Sequence, residues 1–210
     1  MATRTQSRSS NRSGNRSGRS SSSNRSAFSW GDNAGPLLAA GLAGAAIGIA
    51  ANYGRKFVNQ AVSGISGDWD EVLATEHDMT LAVFDKMLAT DSSQTWKRSM
   101  LLMQLTHMLD KHAHEEEMVV YPALRDADQA VEADQLNGEH GYIKTYLYEL
   151  ETLPSDSPEW LARVRDFHSM IREHMRMEEE EVFPKFRNTL TEEQNAKLSA
   201  MMSKEGMKLA

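Results

Sequence analysis

Two stretches of this chain carry closely similar sets of metal-donor side chains: HAHEEEMVVYPAL from His112 to Leu124, and HMRMEEEEVFPKF from His174 to Phe186. In both, a Glu follows the His by four residues, and an aromatic residue and a Pro close the stretch, the Pro ten residues after the His. Four residues make about one helical turn, so His112 shares a face with Glu116 and His174 with Glu178. An imidazole and a carboxylate on one face can hold one ion together. The repeat extends upstream, because Glu76-His77 precedes His112 by 35 positions and Glu139-His140 precedes His174 by 34. The sequence therefore reads as two similar helix pairs, each supplying one His from its first helix and a His and a Glu from its second. Folded face to face, they make a two-metal site of four imidazoles and two carboxylates: His77, His112, Glu116, His140, His174 and Glu178.

Hydrophobic register supports an inward direction for all six. Leu73 and Leu81 flank His77 on its helical face, Leu105, Leu109 and Val119 flank His112, and Leu136 and Ile143 flank His140. Val164, Phe167, Ile171 and Val182 accompany His174. An inward His or Glu without a partner costs several kcal/mol, roughly, in lost hydration, and a bound ion removes that cost. His107 and His114 lie roughly 140° and 160° round the helix from His112 at 3.6 residues per turn. They are expected outside the site, as is His168. Glu115, Glu117, Glu179, Glu180 and Glu181 are expected to tune the local field without binding metal.

Composition narrows the chemistry. The 210 residues include no cysteine, so disulfides, thiolate nucleophiles, iron–sulfur clusters and zinc sites built on sulfur are excluded. Any metal is held by nitrogen and oxygen. Up to Gly54 there are six arginines and one acid, Asp32, whereas from Arg55 onward there are 17 basic and 29 acidic residues. An acidic body of this kind has no affinity for duplex nucleic acid, which is bound through clustered Lys and Arg, and no specific nucleic-acid partner is expected.

The elements that must position the donors follow from caps and periodicity. Four helical patterns are predicted, over about 68–89, from Asp91-Ser92-Ser93 to near Pro122, over about 128–153, and from Ser157-Pro158-Glu159 to near Pro184. Asp68 with Glu71 has the form of a capping box. Thr191, with Glu192, Glu193 and Gln194, caps a short terminal helix. No alternating strand pattern is present, so the fold class is all-α. Four helices with short loops imply an antiparallel up-and-down four-helix bundle over 67–190, followed by a short helix in 191–210. Residues 1–32, rich in Ser, Arg and Asn, are expected to be a disordered basic arm. Residues 33–66 form a Gly/Ala-rich apolar segment and linker. Within it, 33–54 carries no charge and includes the pair Gly44 and Gly48, which fits a membrane-associated helix or a self-associating one. An export signal fits less well, because the polar stretch ahead of it is too long.

The motif pair resembles the hemerythrin-like HHE cation-binding family over about residues 68 to 190. That resemblance implies a non-haem di-iron centre with His77, His112, Glu116, His140, His174 and Glu178 as ligands and both carboxylates bridging. It departs from the oxygen-carrying members in having Lys144 where those have a further His, and in a spacing of four rather than five after the last His. The six-ligand form of the family is the better match, and reversible oxygen carriage is not expected. The cofactor expected is two iron ions, although the ligand types alone admit manganese or zinc. The expected function is a di-iron protein that binds, senses or reacts with a small diatomic (oxygen or nitric oxide) or peroxide, or holds iron. The alternative is a di-iron enzyme of peroxide or oxygen reduction or of iron donation for cluster repair, and a third reading makes the metal structural. A cytoplasmic location, with membrane association through 33–54, is expected.

Overall fold

The computed structural model describes residues 67–209, and among these there is no strand. Four long helices, α1 (Trp69–Leu88), α2 (Thr95–Glu115), α4 (Ala130–Thr152) and α5 (Pro158–Met177), are joined by short turns. Both α2 and α5 run on through a five-residue π-helical turn, Glu116–Val120 and Glu178–Val182, into the short helices α3 (Tyr121–Asp126) and α6 (Phe183–Arg187). A last helix, α7 (Glu192–Gly206), follows. The basic arm and the apolar segment expected over 1–32 and 33–66 lie outside the described residues. Among the described residues no helix is long and apolar enough to cross a membrane.

The helix starts follow the local chemistry. Asp68 donates its N–H to the Glu71 carboxylate, the Ser157 hydroxyl accepts from Trp160 N–H, and Thr191 and Gln194 exchange side-chain bonds with each other's backbone. The expected start of the second helix at Asp91 is corrected. Asp91 accepts from the N–H and the hydroxyl of Ser93, which closes a turn and delays the helix to Thr95. The expected stops at Pro122 and Pro184 are corrected as well. Proline lacks the N–H for the i−4 bond and crowds that carbonyl, but here the residue before each proline reaches back five positions instead. Tyr121 N–H bonds the Glu116 carbonyl and Phe183 N–H bonds that of Glu178. The wider turn accommodates the ring, and the helix continues.

Packing divides the interior into two apolar clusters. One is built on Phe84, Leu105, Trp160, Val164 and Phe167, the other on Trp69, Leu73, Leu124, Leu136, Phe183 and Phe186. Every long helix passes from one cluster to the other, and in each the site histidine falls at the crossing. His77 lies between Leu73 and Val83, His112 between Leu109 and Val119, His140 between Leu136 and Ile143, and His174 between Ile171 and Val182. The chain crosses in alternating directions, α1 and α4 one way and α2 and α5 the other. The donors thus form a polar layer enclosed by apolar layers. α7 covers the first π-turn and the adjacent parts of α1 and α2, with Leu198 and Met202 in the second cluster and Ser199 and Asn195 accepting from the two N–H groups of Trp69.

Candidate metal centre

The structure brings all six sequence-predicted residues together, each no more than 5 % exposed. Two overlapping groups can each hold an ion, His77, His112, Glu116 and Glu178 in one and Glu116, His140 and His174 in the other, with donor atoms within 4.8 Å inside each group. Glu116 Oε2 lies 3.4 Å from His112 Nε2 and 3.3 Å from His140 Nε2. Glu178 Oε2 lies 3.4 Å from His77 Nε2 and 3.5 Å from His174 Nε2. Each carboxylate therefore stands between histidines of two different helices. Donors about 2.0–2.2 Å from an ion are about 2.8–3.1 Å apart at right angles and about 3.3–3.6 Å at the tetrahedral angle. The observed separations suit donors sharing an ion.

The orientation of the imidazoles is set from behind, by acids that sequence reasoning left without specific partners. Each Nδ1 faces a carboxylate on another helical segment: His77 to Glu179 at 2.6 Å, His112 to Glu76 at 3.0 Å, His140 to Glu117 at 2.9 Å and His174 to Glu139 at 2.8 Å. A proton on Nδ1 leaves the inward Nε2 with its lone pair free for an ion. The four acids obey the same duplication as the donors. Glu76 and Glu139 precede the first His of each pair and hold the His of the partner helix. Glu117 and Glu179 follow the site carboxylates and cross to the opposite pair. The legible signal was the repeated Glu-His dipeptide and the repeated Glu-Glu. Behind Glu76, the ammonium of Lys111 donates to Glu76 at 2.6 Å and to Glu115 at 2.7 Å, all three buried.

The remaining histidines stay out of the cluster as expected. His114 pairs with Glu205 of α7 at 3.2 Å, and His168 lies against the Phe84 ring. Lys144 is 59 % exposed and bonds Glu117 at 3.0 Å, pointing away from the donors. Tyr121, which the sequence marked only as an aromatic of the repeat, has its hydroxyl among Glu116, Glu178 and His140.

The electrostatics of the cluster follow from burying four imidazoles and two carboxylates together. Burial and the facing Glu178 push the Glu116 carboxyl well above its usual range. Burial works the same way on Glu178, but His174 and His77 hold its carboxyl well below the usual range. Burial would lower the His77 imidazolium, yet Glu178 and Glu179 raise it to about 10, while burial lowers His112 to about 4. His77 Nε2 lies 2.9 Å from His112 Nε2. His174 Nε2, Glu116 Oε1 and Glu178 Oε2 are buried without a hydrogen bond. Native interiors rarely leave such atoms unpaired, and three of them facing one cluster fit a bound metal ion.

Comparison with known proteins agrees with this geometry. Residues 70–186 match the Hemerythrin HHE cation binding domain. A protein named DNA nickase from Nostoc sp. is 27% identical over 124 residues, which cover 59% of this chain and 35% of that protein. The chain thus spans about a third of the length of that relative. No solved structure matches. With more than half of its length matched and a buried cluster of histidine and glutamate at the positions of the motif, the chain belongs to the hemerythrin HHE cation-binding domain family.

Proposed function

We propose that this protein is a non-haem di-iron binding protein. In this reading an antiparallel up-and-down four-helix bundle holds two ions through His77, His112, Glu116, His140, His174 and Glu178, with Glu116 common to the two donor groups. The carrying observation is the convergence of four inward Nε2 atoms and two carboxylates, three of their atoms unpaired, in a layer closed off by apolar side chains. Mixed imidazole and carboxylate donors suit iron, and also manganese or zinc. Burial of all six side chains limits the external ligand to something small, which favours a diatomic such as oxygen or nitric oxide, or peroxide. Bound iron would supply one-electron chemistry and open coordination positions for such a ligand. The chain's own residues hold the imidazoles in one tautomer and exclude bulk water.

The name of the Nostoc relative does not carry over as a reading. The body from Arg55 onward has 17 basic against 29 acidic residues, and such a surface repels a phosphate backbone.

Elemental analysis tests the proposal. Protein purified aerobically from iron-replete cells is expected to hold close to two irons per chain, with oxo-bridged ferric absorption in the near ultraviolet. One zinc per chain and no iron would overturn the di-iron reading. Stopped-flow mixing of the reduced protein with oxygen or peroxide then separates a binding protein, which reacts once, from an enzyme, which consumes peroxide repeatedly.

A further inference from the structure

The two donor groups are unequal: one has four members, and the other only Glu116, His140 and His174. The Tyr121 hydroxyl touches two members of the smaller group and Glu178 of the larger. Its oxygen lies 3.0 Å from His140 Nε2, 3.2 Å from Glu116 Oε2 and 2.8 Å from Glu178 Oε1, and the side chain is fully buried. A phenol has one hydrogen to donate. Because Glu117 accepts from His140 Nδ1, the His140 Nε2 atom presents a lone pair. That one hydrogen can be directed to only one of the three neighbours, while the phenol oxygen lies within 3.2 Å of all three. The three distances lie close to the spacing of about 2.8–3.1 Å between donors at right angles on one ion.

We infer that the Tyr121 oxygen is a seventh metal donor, bound as phenolate, which completes the group of Glu116, His140 and His174 to four. This rests on the di-metal reading above and deepens it. The phenol proton is displaced as the ion binds and is released to solvent. The π-turn makes the contact: in an unbroken α-helix a residue five positions after Glu116 would lie about 140° away, whereas the widened turn swings Tyr121 back over it. The internal duplication supplies a contrast. The matching residue of the second stretch is Phe183, whose ring packs on Trp69 at 5.2 Å and offers no donor. The phenolate therefore belongs to one ion of the pair, and a hard anionic donor there favours the ferric state.

The test uses full-length protein loaded with ferric iron. Wild type is expected to show a phenolate-to-iron absorption band in the visible. Tyr121→Phe loses this band with iron content retained, since Phe is the residue at the matching position, and its reduction potential rises. Tyr142→Phe, at an exposed ring, keeps the band. Resonance Raman excitation within the band shows phenolate ring vibrations that shift when ring-deuterated tyrosine is incorporated. That measurement needs no variant, so it decides the matter if Tyr121→Phe also loses iron. Wild type that holds iron without phenolate vibrations, or a band that survives Tyr121→Phe, overturns the assignment and leaves the di-metal reading intact. A chain that takes up no iron overturns both.

Discussion

Each site imidazole is held at two points, a carboxylate behind Nδ1 and the shared cluster in front of Nε2, so residues of the two shells fail differently when altered. His112→Ala or His174→Ala removes an inward donor and is expected to lose at least one ion and lower the melting temperature, because metal binding is linked to folding. His168→Ala, outside the cluster, keeps full occupancy. Metal analysis beside thermal melts checks both. Glu76→Gln keeps the shape but weakens the hold on His112, and it should reduce metal affinity roughly 10–100-fold, measured by competition with a chelator. The same variant has a pH signature in metal-free protein. Burial alone would raise the Glu76 carboxyl, but His112 and Lys111 hold it down to about 2 from the ordinary 4.5. A carboxylate whose folded pKa is depressed stabilises the fold fully above its unfolded pKa and loses that contribution as pH falls toward the folded value. The stability gap between wild type and Glu76→Gln should therefore shrink between pH 4.5 and about 2, in denaturant titrations at stepped pH. A gap independent of pH would show that Glu76 acts through shape alone.

Among the elements, the two π-turns and α7 matter most for the centre. Each π-turn begins at a site carboxylate and ends before an aromatic-Pro pair, so it places Glu116 or Glu178 inward and carries the helix on to Leu124 or Phe186, respectively, in the second apolar cluster. α7 seals the Lys111 network from outside. A Cβ at Gly206 would stand 1.8 Å from Glu115 Oε1, the atom that accepts from Lys111. Gly206→Ala must push that buried carboxylate off the ammonium, and is expected to cost about 1–3 kcal/mol, the usual range for overpacking. Chemical denaturation of metal-loaded protein checks this, and an unchanged midpoint would mean that α7 is free to shift outward. Glu115 itself, raised to about 7 by burial and by Glu76, is the member of the trio least firmly held as an anion.

On the scale of the whole molecule, a layer of charge and lone pairs is enclosed between two apolar clusters, and every residue of that layer lies between Glu76 and Val182. Among the described residues, the candidate donors all lie in these helices and π-turns. A chain beginning at Gly67 is expected to fold, hold as much metal as the full-length protein and melt within a few degrees of it, by elemental analysis and calorimetry. Loss of metal in this truncated chain would give the first 66 residues a part in the centre. Arg187, paired with Asp68 and Asp70, ties the start of α1 to the end of α6 in the same unit.

The sequence by itself determined the helical class, the duplicated donor motif and the six positions that meet, because helical spacing of four and a strict apolar register translate directly into a shared inward face. Caps at Asp68, Ser157 and Thr191 were legible for the same local reason, a side chain bonding a backbone group three residues away. What only the tertiary structure decided were contacts made between helices. The pairing of Glu76 with His112, Glu139 with His174, Glu117 with His140 and Glu179 with His77 joins residues far apart in the chain or on different helices, and no local rule chooses among so many acids. Tyr121 was hidden more deeply. Its contact depends on a π-turn, and the α-helical period used to read the sequence turns that residue away from the site.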